Sequence, residues 1–147
     1  MLGGHLVRLI ERHADELAEG LMKKLRSSDR TAAFRNVPQE ELNSGAREIY
    51  TNLGDWLLTK TESDIELRYT QLGSRRARQG VPLTQFLWAI MVGKEHLFAF
   101  LQREGFAEGV VQLYGELELL QLLDQFFDRA LYYAAVGYEH ARTSKAA

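Results

Sequence analysis

The residues best suited to hold a metal or move a proton near neutral pH are four histidines, His5, His13, His96 and His140. A ferritin-like dimetal site needs a glutamate three residues before its histidine. Here those positions hold Leu2, Ile10, Gly93 and Gly137. No two histidines stand four apart, so a helical zinc site has no support. Cysteine is absent, which excludes a disulfide framework, a zinc finger, an iron–sulfur centre and a thiol nucleophile. The chain holds neither a Gly-Lys-Ser or Gly-Lys-Thr phosphate loop nor a Gly-x-Ser-x-Gly elbow. Carboxylates are plentiful, but no spacing separates an acid/base pair from solvated charge. The sequence therefore assigns no catalytic residue, no metal and no cofactor, and an enzyme is the least supported class.

Two features keep a chemical interest. His96, in the run Val92 to Phe98, sits on a helix among aromatics, where an axial haem ligand could stand. The plainer reading, and the one preferred, is a surface or boundary histidine flanked by Lys94 and Glu95. His13, on the apolar line of the first helix, is weighed the same way. Arg75, Arg76 and Arg78 form a basic run that could meet a phosphate or an acidic partner. A solvated helix end is again the plainer reading, because cations suit the C-terminal end of a helix dipole.

Helices must position these residues. Apolar residues recur at spacings of three and four nearly everywhere, with no sustained period of two. The reading is all-α with about five helices. The first spans Leu2 to Leu25 and is broken at Ser27-Ser28-Asp29. A loop to Val37 follows, with Phe34 pinned to the core. The second spans Pro38 to Leu58, with Pro38 at the first helical position and Leu42, Ala46, Ile49, Leu53, Trp56 and Leu57 turned inward. The third starts at Ser63, where Ser63 and Glu66 have capping-box spacing. It buries Ile65, Tyr69, Leu72 and Ala77, and ends at Gly80 in a left-handed conformation. The fourth runs from Pro82 to Gly105, with Phe86, Leu87, Ile90, Gly93, Leu97, Phe100 and Leu101 inside.

The fifth helix begins near Val110 and reaches Ala141. From Leu117 to Val136, 14 of 20 residues are apolar. A helix apolar nearly all round is either central or covered by a partner. Leu119, Leu123, Phe126, Phe127, Leu131 and Tyr133 are the candidates for an interface between two copies. Glycines at 45, 54, 73, 93, 115 and 137 fall inside predicted helices. Each costs about 0.5–1 kcal/mol relative to alanine, and close helix packing is the expected compensation at Gly73 and Gly93.

The chain has 147 residues, 46% hydrophobic and 26% charged. That suits a single domain with an ordinary core, here about residues 6–142. A net charge of -2 argues against nucleic-acid binding. The longest uncharged apolar stretch, Ala130 to Tyr138, is far short of the roughly 20 residues of a membrane-spanning helix. The N-terminus meets charge at Arg8, Glu11 and Arg12 before any long apolar run, unlike a secretory signal. A cytoplasmic protein is the expectation.

The stretch from Tyr69 to Leu83, with Gly73, Arg76-Ala77 and Gln79-Gly80-Val81-Pro82-Leu83, resembles the N-terminal sensor domain of the RsbR and RsbRD type. Those domains belong to regulators of the bacterial general stress response. The segment Ile10 to Leu25 and the long final helix also resemble that family, so nearly the whole chain is covered. Gly73, Arg76, Gly80 and Pro82 are the signature positions. The resemblance implies a globin-like helical bundle without haem. It implies a homodimer, and a signal passed through the final helix to a STAS module, a kinase or another regulatory output protein, with an unknown small ligand possible. The chain ends at Ala147, soon after the long helix. The expectation is either an excised sensor domain or a stand-alone form that docks on a partner. A haem- or gas-binding sensor using His96 or His13, and a small-molecule carrier with a pocket among Trp56, Trp88, Phe86 and Tyr69, are the competing readings.

Overall fold

A computed structural model describes residues 3–104 and 110–146, apart from the side chains of residues 110–112, 145 and 146. The described residues are all helical or in short connections. The elements are α1 (Gly4–Arg12), α2 (Ala14–Ser27), a 3-10 segment (Asp29–Asn36), α3 (Gln39–Thr51), a π-helical turn (Asp55–Thr59), α4 (Glu62–Arg78), α5 (Leu83–Glu104) and α6 (Val110–Ala146). These eight helical segments replace the five expected.

The extra breaks have local causes. The first helix divides at His13, whose ring Nδ1 lies 2.8 Å from the Leu9 carbonyl. The His13 N–H is shared between Leu9 and Ile10, so the ring and the backbone compete for one acceptor. The apolar stripe runs through this kink, which is why spacing alone read it as continuous. The second expected helix divides at Asn52, whose side chain donates to the Glu48 carbonyl at 3.0 Å. This is the local competition that makes asparagine a poor residue for a helix interior. Beyond it, Lys60 N–H closes a wide turn onto Asp55 O at 2.7 Å. The segment read as a loop after Ser28 is wound into 3-10 turns, and Phe34 is buried as expected.

Two expected helix starts shift. Pro38 caps α3 from outside with extended ψ rather than opening it. The capping box of α4 is Thr61 with Asp64, two residues upstream of the Ser63 and Glu66 pair. Thr61 Oγ1 accepts from Asp64 N–H at 3.3 Å, and Asp64 Oδ2 accepts from Thr61 N–H at 2.8 Å. Both pairs fit the motif by spacing. Thr61 wins because its own backbone is extended, at φ -90° and ψ 170°, as an N-cap requires, whereas Ser63 is already inside the helix. The expected stop of α5 at Gly105 lies outside the described residues.

α6 has 37 residues, or about 55 Å at 1.5 Å per residue. Its most extensive packing is against α4, and α5 covers a second side. Leu119, Leu123, Ala130 and Ala134 are fully buried along it. α2 sits between α3 and α5. No helix among the described residues is long and apolar enough to cross a membrane.

Candidate functional site

The signature residues meet at one corner, where α4 turns into α5 and α6 crosses α4. Gly73 lies against the α6 backbone: a methyl built there would collide with Ala134 O and Tyr138 N. Gly137 answers from the other side, since a methyl there would collide with the Thr70 backbone. Two glycines thus let two helix backbones touch. Gly93, expected to serve the same end, does not: a methyl there meets only Leu21 Cδ2 at 3.8 Å.

The turn itself is fixed by Gly80, at φ 76°. Gly80 N–H donates to Ala77 O and Val81 N–H to Arg76 O, both at 3.1 Å, which satisfies carbonyls that the end of α4 would leave bare. Pro82 cannot continue a helix from Val81 but suits the start of the next, and its carbonyl accepts from Phe86 N–H at 3.0 Å. Val81 is buried, and its carbonyl accepts the Tyr138 hydroxyl at 2.6 Å. Tyr138 also stacks on Phe86, with ring centroids 6.3 Å apart.

The basic run is not the uniform solvated end that was expected. Arg75 and Arg78 are exposed, but Arg76 is only 6% exposed. The helical period explains the correction. Arg76 lies three residues after Gly73 and seven after Tyr69, on the buried side of α4. Its Nη1 donates to Glu41 Oε2 at 2.7 Å and to Gln79 Oε1 at 2.8 Å. Gln79 Nε2 donates to the same Glu41 oxygen at 2.8 Å, and Arg75 pairs with the other oxygen. Burial disfavours the charge on Glu41, but the hydrogen bonds from Gln79, Arg75 and Arg76 outweigh it and hold the carboxyl below its usual range. Burial lowers the affinity of Arg76 for its proton, and Glu41 opposes that. Glu41 stands in the first turn of α3. A buried arginine does signal a partner carboxylate, but sequence cannot say which one.

His96 is also corrected from boundary to interior, at 6% exposure. It shares the inner face of α5 with Gly93, Leu97 and Phe100. Gly20 makes room for it, because a methyl there would come within 2.8 Å of the ring Cε1. Its Nε2 lies 2.9 Å from Leu17 O, and its Nδ1 is buried without a partner. Burial, then the charge of Lys24, lowers its pKa below the ordinary value. His13 is half-buried and tilts against Phe100, with ring centroids 5.5 Å apart. Both rings are therefore held by backbone carbonyls of this chain. No cluster of His, Asp and Glu able to hold a metal occurs among the described residues.

The six interface candidates on α6 occupy two environments. Leu119, Leu123, Phe126 and Phe127 are buried within the chain. Phe126 contacts Trp56, Tyr69 and Phe127 edge-on or tilted, at 5.5–5.9 Å. Leu131 and Tyr133 are half-buried at the border of this face. The outward apolar residues of α6 are Leu113, Tyr114, Leu117 and Tyr132, 46–63% exposed. Of the four aromatics read as one pocket, Phe86 and Tyr69 do line a common cavity. Trp56 instead packs on Phe126, and Trp88 lies under the Arg30 guanidinium at 4.5 Å.

A search of curated proteins returns no match, and a search of solved structures returns none. The family model described as the RsbT co-antagonist protein rsbRD N-terminal domain matches residues 15–147. That span takes in the Gly73 crossing, the Arg76 network, the Gly80 turn and all of α6, and the chain belongs to this family.

Proposed function

We propose that this chain is a non-catalytic regulatory domain of bacterial stress signalling, acting in the cytoplasm through contacts with other proteins. In this reading the fold is globin-like without haem. Two copies pair through the outward side of α6, and the signal passes along α6 to a STAS, kinase or other regulatory module. The family description, which names an RsbT co-antagonist, supports a place in that partnership.

The observation that carries the reading is the two-sidedness of α6. Its inner side is filled by the chain's own core, while Leu113, Tyr114, Leu117 and Tyr132 remain exposed opposite. Large apolar side chains grouped on one side of a long helix mark an interaction surface. A two-fold pair would use the same patch twice. The Gly73–Gly137 contact then gives α6 a close-fitting track on α4 along which a change at one end reaches the other.

Size-exclusion chromatography with light scattering tests this. At tens of micromolar the chain should run at twice 16.8 kDa, and the Leu117→Glu, Tyr132→Glu variant should run as a folded monomer. A monomeric wild type at that concentration overturns the proposed interface.

A further inference from the structure

We propose that the open-mouthed cleft lined by α2, α3, α4 and α5 binds a small monocarboxylate with a compact apolar body. The site does not depend on the signalling role. The cavity measures about 150 Å³. An apolar cavity of about this size holds one benzene ring. Leu21, Leu25, Phe34, Ile49, Phe86 and Phe127 form much of the wall. Half-buried Gly45, Ala46, Leu72 and Ile90 form the rim.

Four polar side chains break the apolar lining, and all can donate hydrogen bonds: Tyr50, Arg68, Tyr69 and Arg76. Arg76 is more than nine-tenths buried, and both of its hydrogen bonds leave from Nη1. Arg68 pairs its Nη1 with Glu48 at 2.9 Å and its Nη2 with Gly45 O at 3.3 Å. Its Nε is buried without a partner. A guanidinium carries five donors in a fixed plane, so each of these two has donors to spare beside the cleft.

Charge points the same way. Arg76 shares Glu41 with the exposed Arg75 and Arg68 pairs with Glu48, so three cations face two carboxylates. Burial raises the Tyr50 pKa and pushes that of Tyr69 up to about 12, so both phenols are neutral donors at physiological pH. A buried donor without an acceptor is costly. A carboxylate brings acceptors only, in the planar geometry a guanidinium matches. The volume limits the rest of the ligand to about one ring or a short branched chain.

The test is an amide-resolved NMR titration of the full chain with sodium benzoate at constant ionic strength, using benzyl alcohol as a neutral probe of the same size. Saturable shifts are expected at Gly45 and Gly93, with benzyl alcohol at least tenfold weaker. Gly93→Leu should abolish binding, because a Cβ there meets only Leu21 Cδ2 at 3.8 Å and borders the cleft, and leucine favours the helix over glycine. Ala46→Leu at the rim gives a second block. The proposal is overturned if benzoate gives no saturable shift at tens of millimolar. Equal affinity for benzyl alcohol, or undiminished binding in folded blocked variants, overturns it as well.

Discussion

Tyr138 on α6 donates its hydroxyl to the Val81 carbonyl at 2.6 Å, joining residues 57 apart in sequence. Val81 in turn donates its own N–H to Arg76 O. The last third of α6 is therefore bonded to the turn that orients α5, a few residues from Arg76 and its partner Glu41. Any sliding of α6 along α4 must break this bond or carry the turn with it.

Tyr138→Phe isolates that link. The ring still stacks on Phe86, so packing is kept, while the Val81 carbonyl loses a buried partner. The expected cost is about 1–3 kcal/mol, read as a lower urea midpoint with an unchanged slope. A larger loss of helicity by circular dichroism would show that the hydroxyl organises the corner as well as stabilising it.

The helical glycines should separate into two kinds. Gly73→Ala and Gly137→Ala force a methyl into an opposing backbone. Each should cost about 1–3 kcal/mol, as overpacking does, despite the better helix propensity of alanine. Gly93→Ala meets no such obstacle and should stabilise by about 0.5–1 kcal/mol. Thermal melts of the three variants give the comparison directly.

His96 makes stability depend on pH in a predictable direction. Its folded pKa lies below its ordinary value, so between the two the unfolded chain binds the extra proton. Stability attributable to His96 is thus complete above the unfolded pKa of about 6.5. It declines as pH falls toward the folded pKa, by at most about 1.4 kcal/mol per pH unit. The His96→Gln variant should show a shallower loss between pH 7 and pH 5 in denaturant titrations. Identical slopes would mean that protonated His96 is accommodated in the fold.

Glu41 acts lower on the pH scale with the same sign. Its folded pKa is depressed, so its contribution is present above the unfolded value of about 4.3 and is lost as pH falls through the folded value. Glu41→Gln should cost about 1–3 kcal/mol at pH 7, because Arg76 loses a charged partner. The gap between variant and wild type should narrow between pH 5 and pH 3.

These residues show what sequence can and cannot carry. Apolar spacing, Pro82 and Gly80 located α4, α5 and their turn, because each acts within a few residues of itself. The same local rules missed the kinks at His13 and Asn52, where a side chain competes for one carbonyl. They also fit two capping boxes offset along the chain from Thr61 to Ser63, and the extended backbone of Thr61 chose between them. The corner was legible only as a pattern. Gly73 and Arg76 stood out by type, but their partners Ala134, Tyr138 and Glu41 lie 35–65 positions away, set by tertiary packing. His96 misled because Lys94 and Glu95 flank it in sequence, while on a helix its neighbours are Gly93 and Phe100, three before and four after.

The question left open by composition was whether the apolar stretch of α6 is core or interface, and its two sides should answer differently. Leu123 is fully buried and Phe127 nearly so. An aspartate at either would place an unpaired carboxylate in the core. The expected loss exceeds about 4 kcal/mol, enough to unfold a domain of ordinary stability. Leu117→Glu and Tyr132→Glu put charge on exposed positions, where surface changes fall within about 0.5 kcal/mol. Circular dichroism should therefore show Leu123→Asp and Phe127→Asp unfolded and the outer variants helical. Soluble, helical Leu123→Asp would instead mean that α6 can leave α4, and that the interface between copies is on its inner side.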